Sequence, residues 1–232
     1  MTTSSGKPFP NAPGVLLVLH DVAAGADEEE FNRWYQQQHV PERLAVPGFN
    51  TAKRYRAVDA QLAYMAVYEC EAIDVFTSNA YLERLANPTD WTRRIMPGFR
   101  NMLRSACRET WSSGAGTGGG AIIIQCKPVP GREDAARRHV QDTLAPALMQ
   151  SAWLVRMALW EADAAFSGGT SPEMALRGGA DKSADWVLFL ESYDHAKTAA
   201  ALEAQVRSGA AAEAGLLIGS RGRYQLIYAA AA

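Results

Sequence analysis

The first clear hydrophobic pattern is VLLVLH at 15–20, an apolar run bounded by Pro13-Gly14 and by Ala24-Gly25-Ala26, which predicts a buried strand. A helix follows. Asp27 and Glu30 have capping-box spacing, Phe31, Trp34, Tyr35 and Gln38 recur at helical intervals on one face, and Pro41 marks the expected end. Pro47-Gly48 turns the chain into 51–57, where Lys53 and Tyr55 alternate with Arg54 and Arg56 as in a half-buried strand, and 63–69 is its hairpin partner. Helical spacing returns over 73–85, and 102–110 closes the unit after Pro97-Gly98. The predicted order over 14–111 is β-α-β-β-α-β.

Residues 112–120 (SSGAGTGGG) break the composition and predict a flexible connector. The same order then restarts over 121–230: a strand at 121–126, a helix at 133–148, strands at 153–160 and 186–191, a helix at 196–206 and a closing strand at 224–228. Pro41 and Pro146 stand at matching points of the two halves, an offset of about 105 that suits a duplicated small domain. One insertion, the Gly/Ser-rich 166–184, replaces a short hairpin turn and predicts a mobile loop or a lid. Each half offers a four-stranded antiparallel sheet with helices on one face, leaving the other face in need of cover. The expected class is α+β, with the two sheets packed together.

The run W-Y-Q-Q-Q-H-V-P-E-R-L-A-V-P-G-F-N-T-A-K-R-Y-R at 34–56 resembles the EthD-like branch of the dimeric α+β barrel superfamily, where W-Y-x-x-x-H-x-P precedes P-G-F and R-Y. The resemblance covers the first half; the second half matches in element order. It implies ferredoxin-like units paired sheet to sheet, here both on one chain, with a cavity between the sheet and helices of each unit. It also implies His39 as the motif histidine, Trp34 and Tyr35 as the aromatic pair, and Arg54 and Tyr55 as the strand Arg-Tyr. Related families include cofactor-free isomerases, polyketide cyclases and decarboxylases, quinone-forming monooxygenases, and haem-degrading or haem-peroxidase enzymes. Gln38 departs from the pattern, because an acidic residue commonly precedes the histidine and would raise its pKa or orient its ring.

Charge and composition narrow the partners. With 23 basic and 25 acidic residues, a net charge of -2 gives no basic surface for a polyanion, so neither nucleic acid nor a membrane surface is expected. No apolar run approaches the roughly 18 residues of a membrane span, and the first fourteen residues lack a signal-like apolar region. A cytoplasmic protein with a frayed N-terminus is expected. Cys70, Cys107 and Cys126 have no metal-ligand spacing and read as packing thiols, and no metal or cofactor is expected.

The candidate chemistry centres on His39, four residues after Tyr35 and on the same side of the helix. A neutral imidazole can take a proton from an activated carbon or hydroxyl, and a phenol can donate to a developing enolate. The alternative is that His39 caps the helix C-terminus before Pro41. Around it, Trp34, His20, Arg54, Tyr64 and Tyr68 are candidate substrate contacts: aromatic walls, hydroxyl donors and a guanidinium fork for a carboxylate. Tyr64 and Tyr68 share one strand face, and Arg54 and Arg56 share another. His139 and His195 read as solvated. The offset of 105 puts Leu144 opposite His39, which confines any such site to the first half. The expected function is an EthD-like enzyme acting on an apolar or aromatic carbonyl compound by cofactor-free general acid/base chemistry of the isomerase, cyclase or decarboxylase type. The alternatives are a non-catalytic binding module for a hydrophobic metabolite and a haem-binding or monooxygenase-type barrel. Whether two such chains pair further, as a homodimer of pseudo-dimers, is open.

Overall fold

The computed structural model describes Phe9, 11–167, 171–177 and 181–232; part of the expected N-terminal tail and of the 166–184 insertion lies outside the described residues. Eight strands carry the fold: β1 (Gly14–Val22), β2 (Phe49–Asp59), β3 (Tyr64–Cys70), β4 (Phe99–Gly114), β5 (Gly120–Pro128), β6 (Leu154–Ala162), β7 (Trp186–Ser192) and β8 (Leu216–Ala231). They close into one antiparallel barrel in the order β1-β3-β2-β8-β5-β7-β6-β4. The two halves therefore meet edge to edge, β2 on β8 and β4 on β6, and the joined sheets wrap their inner faces around a shared core. A closed barrel leaves no unpaired sheet edge.

Period-two alternation explains why β1 reads as unbroken apolar sequence. Val15, Leu17 and Leu19 point into the barrel with Met65, Val67, Ile123, Trp160 and Phe189, while Leu16 and Val18 face the helices of the first half. β2 is covered on both faces at Ala52, Lys53, Arg54 and Tyr55, rather than half-buried. One end of the interior is ionic. Lys53 Nζ donates to Glu191 at 2.9 and 3.0 Å, and Arg156 donates to Glu69 and Glu109, each at 2.6 Å. Tyr55 and Trp160 add donors to Glu191 and Glu109. Each acid at this end thus has a cation from the opposite half.

On the outside, α1 (28–44) and α4 (133–149) occupy equivalent places in the two halves, and each contains a five-residue π turn, Tyr35–His39 and Val140–Leu144. The remaining helices are α2 (Asn79–Ala86), α3 (Asp90–Ile95), α5 (Ala164–Ser167), α6 (Pro172–Ala175), α7 (His195–Arg207) and α8 (Ala210–Glu213). The segment expected as one helix over 73–85 is a 3-10 turn, Ile73–Thr77, followed by α2, which Ser78 caps. Among the described residues, no helix is long and apolar enough to cross a membrane.

The glycine-rich connector is shorter than its composition implies. Ser112, Ser113 and Gly114 extend β4 along β6, and Gly120 opens β5, so five residues link the halves outside the ladders. Gly114 has φ +82° and lies so near the Val155 carbonyl that a Cβ would sit 2.3 Å from its oxygen. The connector is glycine-rich here because backbone passes backbone.

Candidate active site

The π turn decides which residues of α1 face the sheet. In an unbroken α-helix, position 38 would follow Trp34 and Tyr35 onto the buried side. The wider turn, closed by Val40 N–H donating to the Tyr35 carbonyl, rotates Gln38 off that side and turns His39 fully onto it. Gln38 moves aside and donates to Thr89 and Thr92, at 2.5 and 3.0 Å. Pro41 does not end the helix as expected; it sits in the first turn after the bulge, where a missing N–H costs little, and the helix runs on to Leu44. Two consequences follow. His39 is not at a helix C-terminus, so it is not a cap, and Arg43 arrives one turn later on the same buried side.

His39 is 7% exposed, and its Nδ1 has no hydrogen-bond partner among the described residues. Its ring lies 4.4 Å from Trp34, 5.1 Å from Tyr35 and 6.4 Å from Tyr68, centroid to centroid. Burial, reinforced by the Arg43, Arg54 and Arg177 guanidinium charges, holds the imidazole pKa well below its ordinary value, so the ring is neutral at pH 7. Tyr68 is likewise buried with an unpartnered hydroxyl, and desolvation pushes its pKa well up, which keeps the phenol proton in place as a donor. Burial similarly raises Tyr35 to about 12.

A cavity of about 30 Å³ lies at this point, lined by Tyr35, His39, Arg43, Tyr68, Arg104 and Glu173 among others. It has room for about two waters. Of the residues singled out in the sequence, His39, Tyr35 and Tyr68 reach it. Trp34 packs behind them, fully buried, with Nε1 donating to Thr92 at 3.3 Å. His20, expected as a strand-end residue, is buried in an aromatic cluster with Tyr64 at 5.4 Å and Phe99 at 4.5 Å, and burial lowers its pKa to about 3. Arg54 places its guanidinium carbon 3.8 Å from the Tyr35 ring centre and donates to Asn32, while Arg56 turns outward to Glu28. Tyr64 is buried outside the cavity lining, its hydroxyl bonded to Glu28.

Sequence reasoning missed Arg43, Tyr81, Arg104, Glu173 and Arg177. Arg43 stands four residues beyond His39, a helical spacing discounted once Pro41 was taken as the helix end. Glu173 belongs to α6, in the insertion of the second half, which lies over the first-half cavity and pairs with Arg43. In the second half the equivalent space is filled by Val140, Leu144, Leu148, Leu188 and Leu202. His139 and His195 are half-buried on other surfaces. No group of three or more His, Cys, Asp or Glu side chains among the described residues is placed to hold a metal. The three cysteines are buried, and desolvation raises all of their pKa values, Cys126 to about 12.

No family model and no curated protein sequence matches the chain. Solved structures do. An anthrone oxidase-like protein superposes with a TM-score of 0.63 at 9% identity, over 95% of this chain and 93% of its own. A monooxygenase-like protein from Fusobacterium nucleatum gives 0.57 at 9% identity, over 95% and 94% of the two chains. A heme-binding protein from Thermus thermophilus gives 0.54 at 10%, over 94% and 92%. The chain has the dimeric α+β barrel fold. At such identities the likeness extends to architecture, and the chemistry has to be read from the cavity.

Proposed function

We propose that this dimeric α+β barrel is an EthD-like enzyme that moves a proton on a small aromatic or apolar carbonyl compound, with His39 as the base. The observation that carries this reading is the buried, neutral imidazole whose Nδ1 has no partner among the described residues, beside a Tyr68 hydroxyl equally without one. A buried polar atom without a partner is uncommon and marks a place for an incoming group. The base takes a proton from carbon; the C–H electron pair moves to the carbonyl oxygen, and the imidazole becomes an imidazolium. Tyr68 donates to the forming enolate, and the guanidinium charges around the cavity lower its energy. A strongly depressed imidazole is a weak base, so the reaction suits substrates whose conjugate base this cationic site stabilises. Returning the proton at a second carbon or oxygen completes an isomerisation or cyclisation.

One structural neighbour is described as heme-binding, which raises haem as an occupant. The residues around the His39 cavity do not fit it. The cavity holds about 30 Å³, and Trp34 packs at a tilt against the His39 ring at 4.4 Å. Withdrawing α6 takes the side chains of Glu173 and Met174 out of the lining and leaves His39 packed against Trp34 and Tyr35.

The test is deuterium exchange at the acidic carbon of 2-tetralone or anthrone, followed by NMR without oxygen. His39→Asn should reduce the enzyme-dependent rate by at least about 100-fold, the usual scale for a positioned base, with the circular dichroism spectrum unchanged. Equal exchange by the variant removes His39 from the mechanism. The anthrone oxidase-like neighbour favours one extension. If oxygen is admitted, the ring CH2 of anthrone would become C=O, with one atom of O2 in the product and the other leaving as water with both hydrogens.

A further inference from the structure

Four arginines converge on the first half's cavity and the aromatic cluster behind it, and they outnumber the acids. Arg43 is paired with Glu173, and Arg177 with Asp181 at 2.7 Å. Among the described residues, Arg104 donates to the Tyr81 hydroxyl and the Ser167 carbonyl, each at 3.3 Å, and Arg54 to Asn32 at 2.9 Å. Arg54 and Arg104 are buried and have no carboxylate partner among the described residues. Even the paired arginines are incompletely satisfied: among the described residues, Arg43 Nη1 and Arg177 Nε have no acceptor, nor does Arg54 Nη1. Buried cations without counter-charge are costly, and a site that accumulates them is built for an anion.

One anion is already there. Glu173 is 5% exposed and reaches the cavity from α6, whose first turn is capped by Ser171 accepting from Met174 N–H at 3.1 Å. The segment comes from the opposite half of the chain, and its carboxylate is the group that Arg43 holds in a cavity otherwise too small for a ring. We propose that the Glu173 carboxylate occupies an anion subsite, and that an aromatic carboxylate binds by displacing it, with α6 swinging out and the ligand's ring taking the vacated space beside His39. This deepens the proposed function by assigning a substrate class, and it rests on that reading only for the identity of the cavity. Arg43 and Arg177 would hold the ligand's carboxylate, and the aromatic walls of Tyr35, Tyr68 and Tyr81 would cover its ring. Glu173 then sets specificity, because a carboxylate replaces the charge that it withdraws, whereas a neutral aromatic compound leaves that charge unreplaced and binds more weakly.

The test compares 2-naphthoate with its neutral counterpart 2-naphthamide, by titration calorimetry at pH 7 on the full chain. The expected result is tighter binding of naphthoate than naphthamide, by at least tenfold. Glu173→Gln should tighten naphthoate a further tenfold or more and leave naphthamide within about twofold, and Arg43→Met should erase the preference. Equal tightening of both compounds by Glu173→Gln, or no binding of naphthoate to either form, overturns the subsite. Hydrogen exchange of the unsubstituted chain gives a reading independent of variant folding: naphthoate should speed exchange across 172–175, and protection there would overturn the displacement. His39→Asn should keep its naphthoate affinity within twofold while losing proton exchange, so the anion subsite and the base fail or stand separately.

Discussion

At the residue scale, the site is a set of polar groups kept in ionisation states that water would not allow. His20 and His39 remain neutral because burial and neighbouring guanidinium charges oppose a second cation. The unfolded chain takes up these protons near pH 6.5, whereas the folded chain refuses them until far lower pH, to about 3 for His20. Stability is therefore complete above pH 6.5 and falls below it, by about 1.4 kcal/mol per pH unit for each histidine. Half-buried His139 on α4, also depressed, adds a smaller slope of the same sign. Urea titrations between pH 6.5 and 5 should show this loss, ahead of the range where carboxylates titrate, and His20→Phe should reduce the slope by about one proton; an unchanged slope would mean that His20 is protonated in the fold. The motif histidine and its two tyrosines were legible in the sequence. Glu173 was not, because its partner Arg43 is 130 positions away and no local pattern encodes such a contact.

At the element scale, periodicity located nearly every strand and helix but misread their ends. The π turn could not be seen, since an apolar period of 3.6 hides one extra residue, and Pro41 then looked like a terminator. β4 and β8 run longer than expected at their C-terminal arms, 111–114 and 229–231, because these alternate half-exposed and exposed residues with no buried run to mark them. Those arms are held by pairing across the halves. The connector supplies a test of the same point. Gly114→Ala should cost about 2–3 kcal/mol, since it combines a left-handed φ with collision against the Val155 carbonyl. Gly116→Ala, at φ +105° with nothing near its missing Cβ, should cost only the backbone strain, about 1 kcal/mol. Denaturation midpoints of the two variants would show the difference, and equal losses would mean that β4 does not pass β6 this closely.

At the scale of the whole molecule, the charged end of the barrel interior explains why two unlike halves belong together. Lys53 of the first half meets Glu191 of the second, and Arg156 of the second meets Glu69 and Glu109 of the first. A barrel made of two first halves would bury four of these acids with only two lysines, and would lack Arg156 altogether. Buried carboxylates without cations cost several kcal/mol each, so the like pairing is penalised while the unlike pairing satisfies every acid. Divergence of the halves thus fixes the pseudo-dimer as well as confining His39 to one side and placing α6 on the other. The chain expressed as two fragments, cut within 115–119 and mixed, should recombine into a one-to-one complex that outnumbers either homodimer by at least tenfold in native mass spectrometry. Arg156→Met in the second fragment should remove most of that preference, because it deprives Glu69 and Glu109 of the cation that only the unlike pairing provides; an undiminished preference would assign partner choice to the β2–β8 and β4–β6 seams instead.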